Sequence, residues 1–294
     1  MDVRLEPGKY VIAVSGGVDS VVLLDLLAKL AGVVLVVAHF DHGIRLDSAA
    51  DREFVAGLAA SYGLAFFSAE GHLGSTASEA TARAARYDFL RSVQREQQAT
   101  AIITAHHQDD RLETAVINMI RGTGRRGLTA LADTPAVRRP LLALPKTAIV
   151  EYAHQRGLKW REDSTNSDQK YLRNYIRHHL VPRFSAAGRQ QFIDHIDRLQ
   201  VVNIELDELL NEVIADHGAA VLERAWFCCF NHAQAKEVLA QWLRAQSLTD
   251  FDAKTLERGV VGAKTLPAGS LVMLKNNRAL AIGRESLALT TIER

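Results

Sequence analysis

Residues 10–27 read YVIAVSGGVDSVVLLDLL. A short apolar run enters Ser15-Gly16-Gly17-Val18-Asp19-Ser20, and a longer apolar run of helical length leaves it. A nearly continuous apolar strand is what burial on both faces of a parallel sheet demands. Paired glycines between strand and helix permit positive φ and close approach of the backbone to a ligand. The helix start behind them offers unpaired N–H groups and a partial positive charge, so the turn suits an anion. It matches neither common phosphate fingerprint, G-x-x-x-x-G-K-S/T or G-x-G-x-x-G. Asp19 is the odd member, since a carboxylate repels phosphate unless a cation such as Mg2+ bridges them. The competing reading is that Asp19 or Ser20 simply caps the helix.

Outward from the turn, short apolar runs alternate with helical stretches. Strands are expected at Tyr10–Val14, Val33–His39, Ala65–Ser68 and Ala101–Ala105, with a fifth near Arg139–Leu144. Helices are expected over about Ser20–Leu30, Ser48–Tyr62 and Ser78–Gln97. This alternation specifies an α/β fold, an open, doubly wound parallel sheet with right-handed crossovers. Ligands of such sheets bind beyond the carboxyl ends of the strands, where the strand order reverses. Polar clusters lie at four such ends: residues 15–20, 41–45, 71–75 and 106–113. Beyond Gly188 the texture changes. Residues 190–217 and 233–246 have amphipathic helical spacing, and two apolar runs flank Asn276-Asn277 as a β hairpin. The expected division is a catalytic domain over residues 1–188 and a smaller, mainly helical domain with a β tail over 189–294.

Of the 294 residues, 48% are hydrophobic and 23% charged, the balance of a globular chain. No apolar run nears the roughly 18 residues of a membrane span, so no membrane association is expected. The opening MDVRLEPGKY lacks the basic-then-apolar pattern of a signal peptide, which makes the cytoplasm the expected compartment. The two cysteines, Cys228 and Cys229, are adjacent and no C-x-x-C occurs, which argues against disulfide and zinc frameworks. Net charge is only +1, yet Arg121–Arg189 carries fourteen Lys/Arg against five Asp/Glu. Such a stretch is either a solvated basic face or a polyanion site, with nucleic acid the first candidate.

The cluster Thr104-Ala105-His106-His107-Gln108-Asp109-Asp110-Arg111-Leu112-Glu113-Thr114 is the second informative feature. A helix from Asp109 would bury Leu112, Ala115, Val116, Met119 and Ile120, leaving Asp110 and Glu113 three apart on the opposite side. Two such carboxylates can hold Mg2+, grip an ammonium group or accept a proton. Complementarity to the helix dipole would also explain acids in a first turn, though not two histidines before them. Adjacent imidazoles seldom point at one metal, which disfavours zinc.

The SGGxDS turn after a buried strand resembles the PP-loop of the N-type ATP pyrophosphatases, which cleave ATP between its α- and β-phosphates to form an adenylate. Further stretches narrow the resemblance: AHFDHGIR (38–45), SEATARAARY (78–87), GTGRRGL (122–128), RPLL (139–142), WREDSTN (160–166) and YLRNYIR (171–177) with Pro182. In this order they resemble the tRNA(Ile)-lysidine synthetases over roughly residues 9–184. Many members of that family carry an additional C-terminal domain, expected to be missing here. Thiolating relatives generally need reactive cysteines or an Fe–S cluster, and the glutamine-dependent synthetases need a second catalytic half. Neither has a counterpart in this sequence.

The resemblance implies a two-step ligation. ATP adenylates O2 of the wobble cytidine in tRNA(Ile) with a CAU anticodon, and free L-lysine then displaces AMP from C2, shifting codon reading from AUG to AUA. It implies that Ser15, Gly16, Gly17, Val18, Asp19 and Ser20 bind the pyrophosphate, that Ala38 and Phe40 hold adenosine, and that Asp19 and Asp109 hold Mg2+. Asp110 and Glu113 would grip the lysine amine, with His106, Asp41 and His42 lining the substrate side. Arg86 and Arg45 would bind cytidine or the α-phosphate, unless each is only a structural salt-bridge arginine. Arg125, Arg126, Arg173 and Arg177 would meet tRNA phosphates, and Trp160 or Tyr171 is available to stack on a base, core packing being the commoner use of a tryptophan. The rival readings are another PP-loop tRNA modifier such as a thiolase, and a nucleotide-binding regulatory module. The oligomeric state stays open, a homodimer included.

Overall fold

The computed structural model describes residues 1, 3–41, 48–71, 79–161 and 172–292. The chain divides into two compact units, Met1–Ile196 and Asp197–Arg294. The first is built on a five-stranded, wholly parallel sheet of β1 (Gly8–Ala13), β2 (Val33–Asp41), β3 (Ala65–Glu70), β4 (Ala101–Ile103) and β5 (Val137–Arg138). Its order is β3-β2-β1-β4-β5, so the direction of winding reverses between β1 and β4. Central β1 pairs Tyr10 with Leu35 on one side and Ala101 on the other. The fifth strand precedes the expected position. Pro140 has no N–H for a ladder, and Arg139–Leu144 instead turns twice, Leu142 N–H donating to Arg139 O and Leu144 N–H to Leu141 O.

Helix α1 (Val18–Leu27) follows β1, and eight of its ten residues are buried. Being apolar almost all round, it sits inside the unit rather than on it. Asp25 is its buried charged residue. Its carboxylate, 3% exposed, accepts from Tyr62 Oη (2.8 Å), Tyr152 Oη (2.7 Å) and the Lys29 ammonium. These side chains tie α1 to the end of α2 (Ser48–Ser61) and to α6 (Lys146–Gln155). Helix α3 (Glu79–Glu96) contributes Leu90 and Val93 to a cluster with Val11, Val36 and Ile102.

Helix α4 (Gln108–Ile120) follows β4, and short α5 (Arg125–Leu128) comes next, fastened by Asn118 Nδ2–H donating to Gly127 O at 2.6 Å. The buried face of α4 differs from expectation: Met119 and Ile120 are 54% and 62% exposed, while Asp110, Glu113 and Ile117 are buried. The reason is a later segment. Helix α7 (Leu172–Tyr175) runs into a π-helical turn, Ile176–Leu180, and Ile176 and Val181 pack on Val116 and Ile117.

Helix α8 (Ala186–Asp216) is one continuous helix. The second unit contains α9 (Arg224–Cys229), α10 (His232–Ala245) and α11 (Ala253–Thr265). The expected hairpin is β7 (Ser270–Met273) and β8 (Arg278–Ile282), turned through Asn276 and Asn277, both at φ 55°. Paired positive φ is what a tight hairpin requires. The sheet is larger than a hairpin: β9 (Ser286–Thr291) and β6 (Val221–Glu223) extend it antiparallel to β6-β9-β8-β7. Fully buried Trp242 and Phe227 centre its core, and Trp242 donates its indole N–H to Ala219 O at 3.1 Å. Arg224 reaches three carbonyls, of Ala263, Leu266 and Gly283, joining α9 to the end of α11 and to the sheet. No described helix is long and apolar enough to cross a membrane.

Candidate active site

The SGGVDS turn lies where the winding reverses, the crevice in which open α/β sheets bind ligands. Val14 N–H donates to Ala38 O (3.0 Å), and the buried His39 ring meets Val14 O through Nδ1 (2.8 Å), fastening the turn to β2. Gly16 has φ 92°, and Gly17 is the N-cap of α1 with no side chain capping it. The helix-capping role for Asp19 or Ser20 is therefore excluded. Ser20 works inside the turn, its hydroxyl donating to Gly17 O (2.9 Å) and accepting from Ser15 N–H (3.2 Å). Ser15 Oγ in turn accepts from Gly17 N–H at 3.4 Å. No side chain caps the first N–H groups of α1.

Two further helix N-termini meet this one. Helix α4 starts after His107, whose backbone N–H donates to Asp110 Oδ2 (2.9 Å) while Gln108 N–H donates to Leu144 O (3.0 Å). The His107 ring, 5% exposed at the residue level, places Nε2 3.5 Å from Asp110 Oδ2 and 3.7 Å from Asp19 Oδ2. Helix α6 starts with Lys146, whose Nζ lies 2.6 and 2.7 Å from the two oxygens of Asp19. Its backbone N–H points at Asp109 Oδ1, 3.5 Å away. Lys146 was not singled out from the sequence, and His107 was weighed there only as half of a disfavoured zinc pair. Lys146 did leave a trace: a cation in a first helical turn opposes the dipole and so calls for a carboxylate partner.

Asp110 and Glu113 come together on the buried side of α4. Glu113, 1% exposed, takes two bonds from Arg177, from Nε (2.6 Å) and Nη2 (2.9 Å), and Arg177 Nη2 also reaches Asp110 Oδ1 at 3.3 Å. Arg173 Nη1 is 3.9 Å from Glu113 Oε2. Burial raises the Glu113 pKa, with Arg177 opposing it. Burial also pushes Asp110 upward, but His107, His106, the His107 N–H and Arg177 together hold it below the usual range. His106, bonded through Nδ1 to Thr104 Oγ1 (2.8 Å), is pushed by burial down to about 3 despite nearby Asp110, and Arg139, Arg83 and Arg86 push the same way. It is a neutral imidazole at physiological pH.

The remaining predicted residues are spread around this centre. Ala38 is buried in β2, Phe40 sits 5.8 Å from the Phe89 ring, and Asp41 ends the strand half-buried. Arg86 lies over the Tyr87 ring at 5.6 Å. Arg125 and Arg126 are half-buried in α5. Asp109 is 3.9 Å from Arg189. Trp160 packs edge-on to His154, 5.2 Å away, beside the main core. His42, Arg45, Tyr171 and the 162–166 stretch lie outside the described residues. Among the described residues no group of three His, Cys, Asp or Glu forms a metal cage. One or two carboxylates shared with phosphate oxygens is instead the usual Mg2+ arrangement, and Asp19, already gripping the Lys146 ammonium with both oxygens, is a carboxylate that accepts a cation.

Residues 3–184 match the family model described as the PP-loop domain. Over 258 residues the chain is 36% identical to the tRNA(Ile)-lysidine synthase of Chlorobaculum tepidum, covering 81% of this chain and 78% of that relative. The chain belongs to the tRNA(Ile)-lysidine synthase family. It is 40% identical over 190 residues to the family member of a Thermotoga species, covering 60% of this chain and 46% of that one. With the Thermus thermophilus member it shares 43% identity over 198 residues, 63% and 38% of the two chains. The chain thus spans less than half the length of these two relatives. Among solved structures it is similar to a U34-tRNA thiolase from Methanococcus maripaludis, with a TM-score of 0.52 and 17% identity over 66% of this chain and 73% of that one, a likeness of fold. Within the tRNA(Ile)-lysidine synthase family, the segment that matches the PP-loop model contains the whole SGGVDS turn and the α4 carboxylates.

Proposed function

We propose that this chain makes lysidine: it ligates free L-lysine to C2 of the wobble cytidine in a CAU-anticodon tRNA(Ile), using ATP. The observation that carries the reading is the joining of the phosphate turn to the α4 carboxylates, through His107 between Asp19 and Asp110, in a chain of this family. A regulatory nucleotide-binding module has no use for a buried acid pair beside its phosphate site.

Residues 15–20 receive the β- and γ-phosphates on backbone N–H groups, as helix N-termini do. Asp19, with Asp109 beside it, would hold Mg2+, which supplies charge neutralisation at the leaving pyrophosphate. Cytidine O2 attacks the α-phosphorus, the bond to the bridging oxygen breaks, and pyrophosphate departs with that electron pair. Arg86 lies on the side of His106 and steadies the α-phosphate or the base. The lysine Nε then attacks C2, and the C2–O2 bond breaks to release AMP. The amine arrives as an ammonium, so a carboxylate must both attract it and take a proton, a contribution of about 10²–10⁴-fold. Asp110, held ionised, attracts; Glu113, its pKa raised, is the better proton acceptor. Arg125 and Arg126 meet tRNA phosphates, Arg173 and Arg177 link the tRNA backbone to the acid pair, and the segment after residue 188 adds tRNA contacts.

Incubation with CAU-anticodon tRNA(Ile), Mg2+-ATP and radiolabelled lysine tests the reading. Lysine-dependent AMP release with label in the tRNA is expected; intact protein and correct tRNA with no label would overturn it. Asp19→Ala should abolish adenylation, whereas Glu113→Gln should keep adenylation and block transfer.

A further inference from the structure

The phosphate turn carries an aspartate and no lysine, whereas a Walker A loop carries its own lysine for the β- and γ-phosphates. The missing cation arrives from elsewhere in the chain. Lys146, 127 residues beyond Asp19, sets its ammonium 2.6 and 2.7 Å from the Asp19 oxygens.

Several features set this pair apart from a structural salt bridge. Lys146 opens α6 behind the N-cap Pro145, where the helix dipole disfavours a cation. The α1 and α4 N-termini meet there as well, His107 at the head of α4 lying 3.7 Å from Asp19 through Nε2. Helix N-termini are the ends that receive phosphate, and the carboxylate of Asp19 is the charge that an added cation must offset. The pair is also loosely built compared with Arg177 and Glu113: the Lys146 and Asp19 side chains are 36% and 28% exposed. Ion pairs open to solvent add little to stability, so parting this one costs the fold little. The Lys146 backbone is held apart from this motion, since its N–H faces Asp109 Oδ1 and α6 is tied to α1 through Tyr152 and Asp25. Only the four-carbon stem has to move.

We infer that Lys146 is a phosphate-binding residue held in reserve: without nucleotide it neutralises Asp19, and when Mg2+ takes Asp19 its ammonium passes to the polyphosphate. The inference rests on the reading that ATP binds at the turn. It gives Asp19 and Lys146 a shared task, in which each removes the charge that would otherwise repel the incoming complex.

The experiment measures binding, not turnover, by calorimetric titration of intact protein with α,β-methylene-ATP, which cannot be cleaved at the α–β position. In Mg2+, Lys146→Met should weaken binding by about tenfold or more, the worth of a hydrogen bond to a charged group, while Lys146→Arg, which keeps the charge, stays within about threefold of the native protein. In EDTA, Asp19→Asn should bind more tightly than the native protein because it releases the ammonium, and adding Lys146→Met should remove that gain. Native affinity for Lys146→Met in Mg2+, or a gain from Asp19→Asn that persists without Lys146, would overturn the inference while leaving ATP binding at the turn intact. Failure of the native protein to bind the analogue in Mg2+ would overturn both.

Discussion

Glu113 is the residue on which the site's energetics turn. Removing one partner of a buried ion pair strands the other, at a cost of about 3–5 kcal/mol, whereas replacing both with apolar groups can be neutral. Arg177→Met should therefore lower the unfolding free energy in urea by about 3 kcal/mol at pH 8, and adding Glu113→Leu should recover most of the loss. The pH dependence has a definite sign. The folded-state pKa of Glu113 lies above its ordinary value, so the native state binds the proton more tightly and stability falls as pH rises from about 4.5 through the folded pKa. Without Arg177 the shift grows, and Arg177→Met should be markedly less destabilised at pH 5 than at pH 8; equal losses at both would refute this account. The spacing of Asp110 and Glu113 was legible because i and i+3 share a helix face. Their partner was not. Arg177 lies 64 residues beyond Glu113, and a contact of that range leaves no period in a sequence. The Lys146 ammonium on Asp19 was hidden for the same reason.

Among the elements, the strand–turn–helix unit was the most legible, because burial on all sides leaves a strong apolar signal and paired glycines mark the break. Its strain sits in one place. Gly16 at φ 92° occupies a conformation that L side chains rarely adopt, yet a Cβ there would meet Phe54 and Val55 at 3.4 and 3.5 Å, ordinary contact distances. Gly16→Ala should thus cost about 1–3 kcal/mol through the backbone alone, seen as a lowered melting temperature and weakened binding of the uncleavable nucleotide. A variant as stable as the native protein would show that the turn does not need this conformation. The hairpin at Asn276-Asn277 was read correctly from its turn residues, whereas β6 escaped notice because it is only three residues long, and β9 because a lone glycine, Gly283, marks the turn into it. The α4 face was misjudged at Met119 and Ile120: periodicity locates an apolar stripe but says nothing of a polar pair that another segment covers.

At the scale of the molecule, the change of texture after Gly188 was read as a boundary, whereas the compact units divide after Ile196 and the second has a hydrophobic core of its own. Trp242 fills that core, fully buried and hydrogen-bonded to Ala219. Trp242→Ala should cost that unit about 3–5 kcal/mol. If the units unfold separately, as independent cores permit, calorimetry will show one transition lowered and the other fixed, with nucleotide affinity unchanged. A single transition moving as a whole would mean that the cores unfold together. Asp25 carries a further consequence. With α1 buried from Ser20 to Leu27 and the Asp25 carboxylate clamped by two tyrosines and a lysine, the amides beyond its first turn should exchange with solvent only when the surrounding core opens. A nucleotide bound as proposed would meet a backbone whose shape was set during folding, with side chains such as Lys146 left to adjust. Little backbone ordering entropy would be lost on binding.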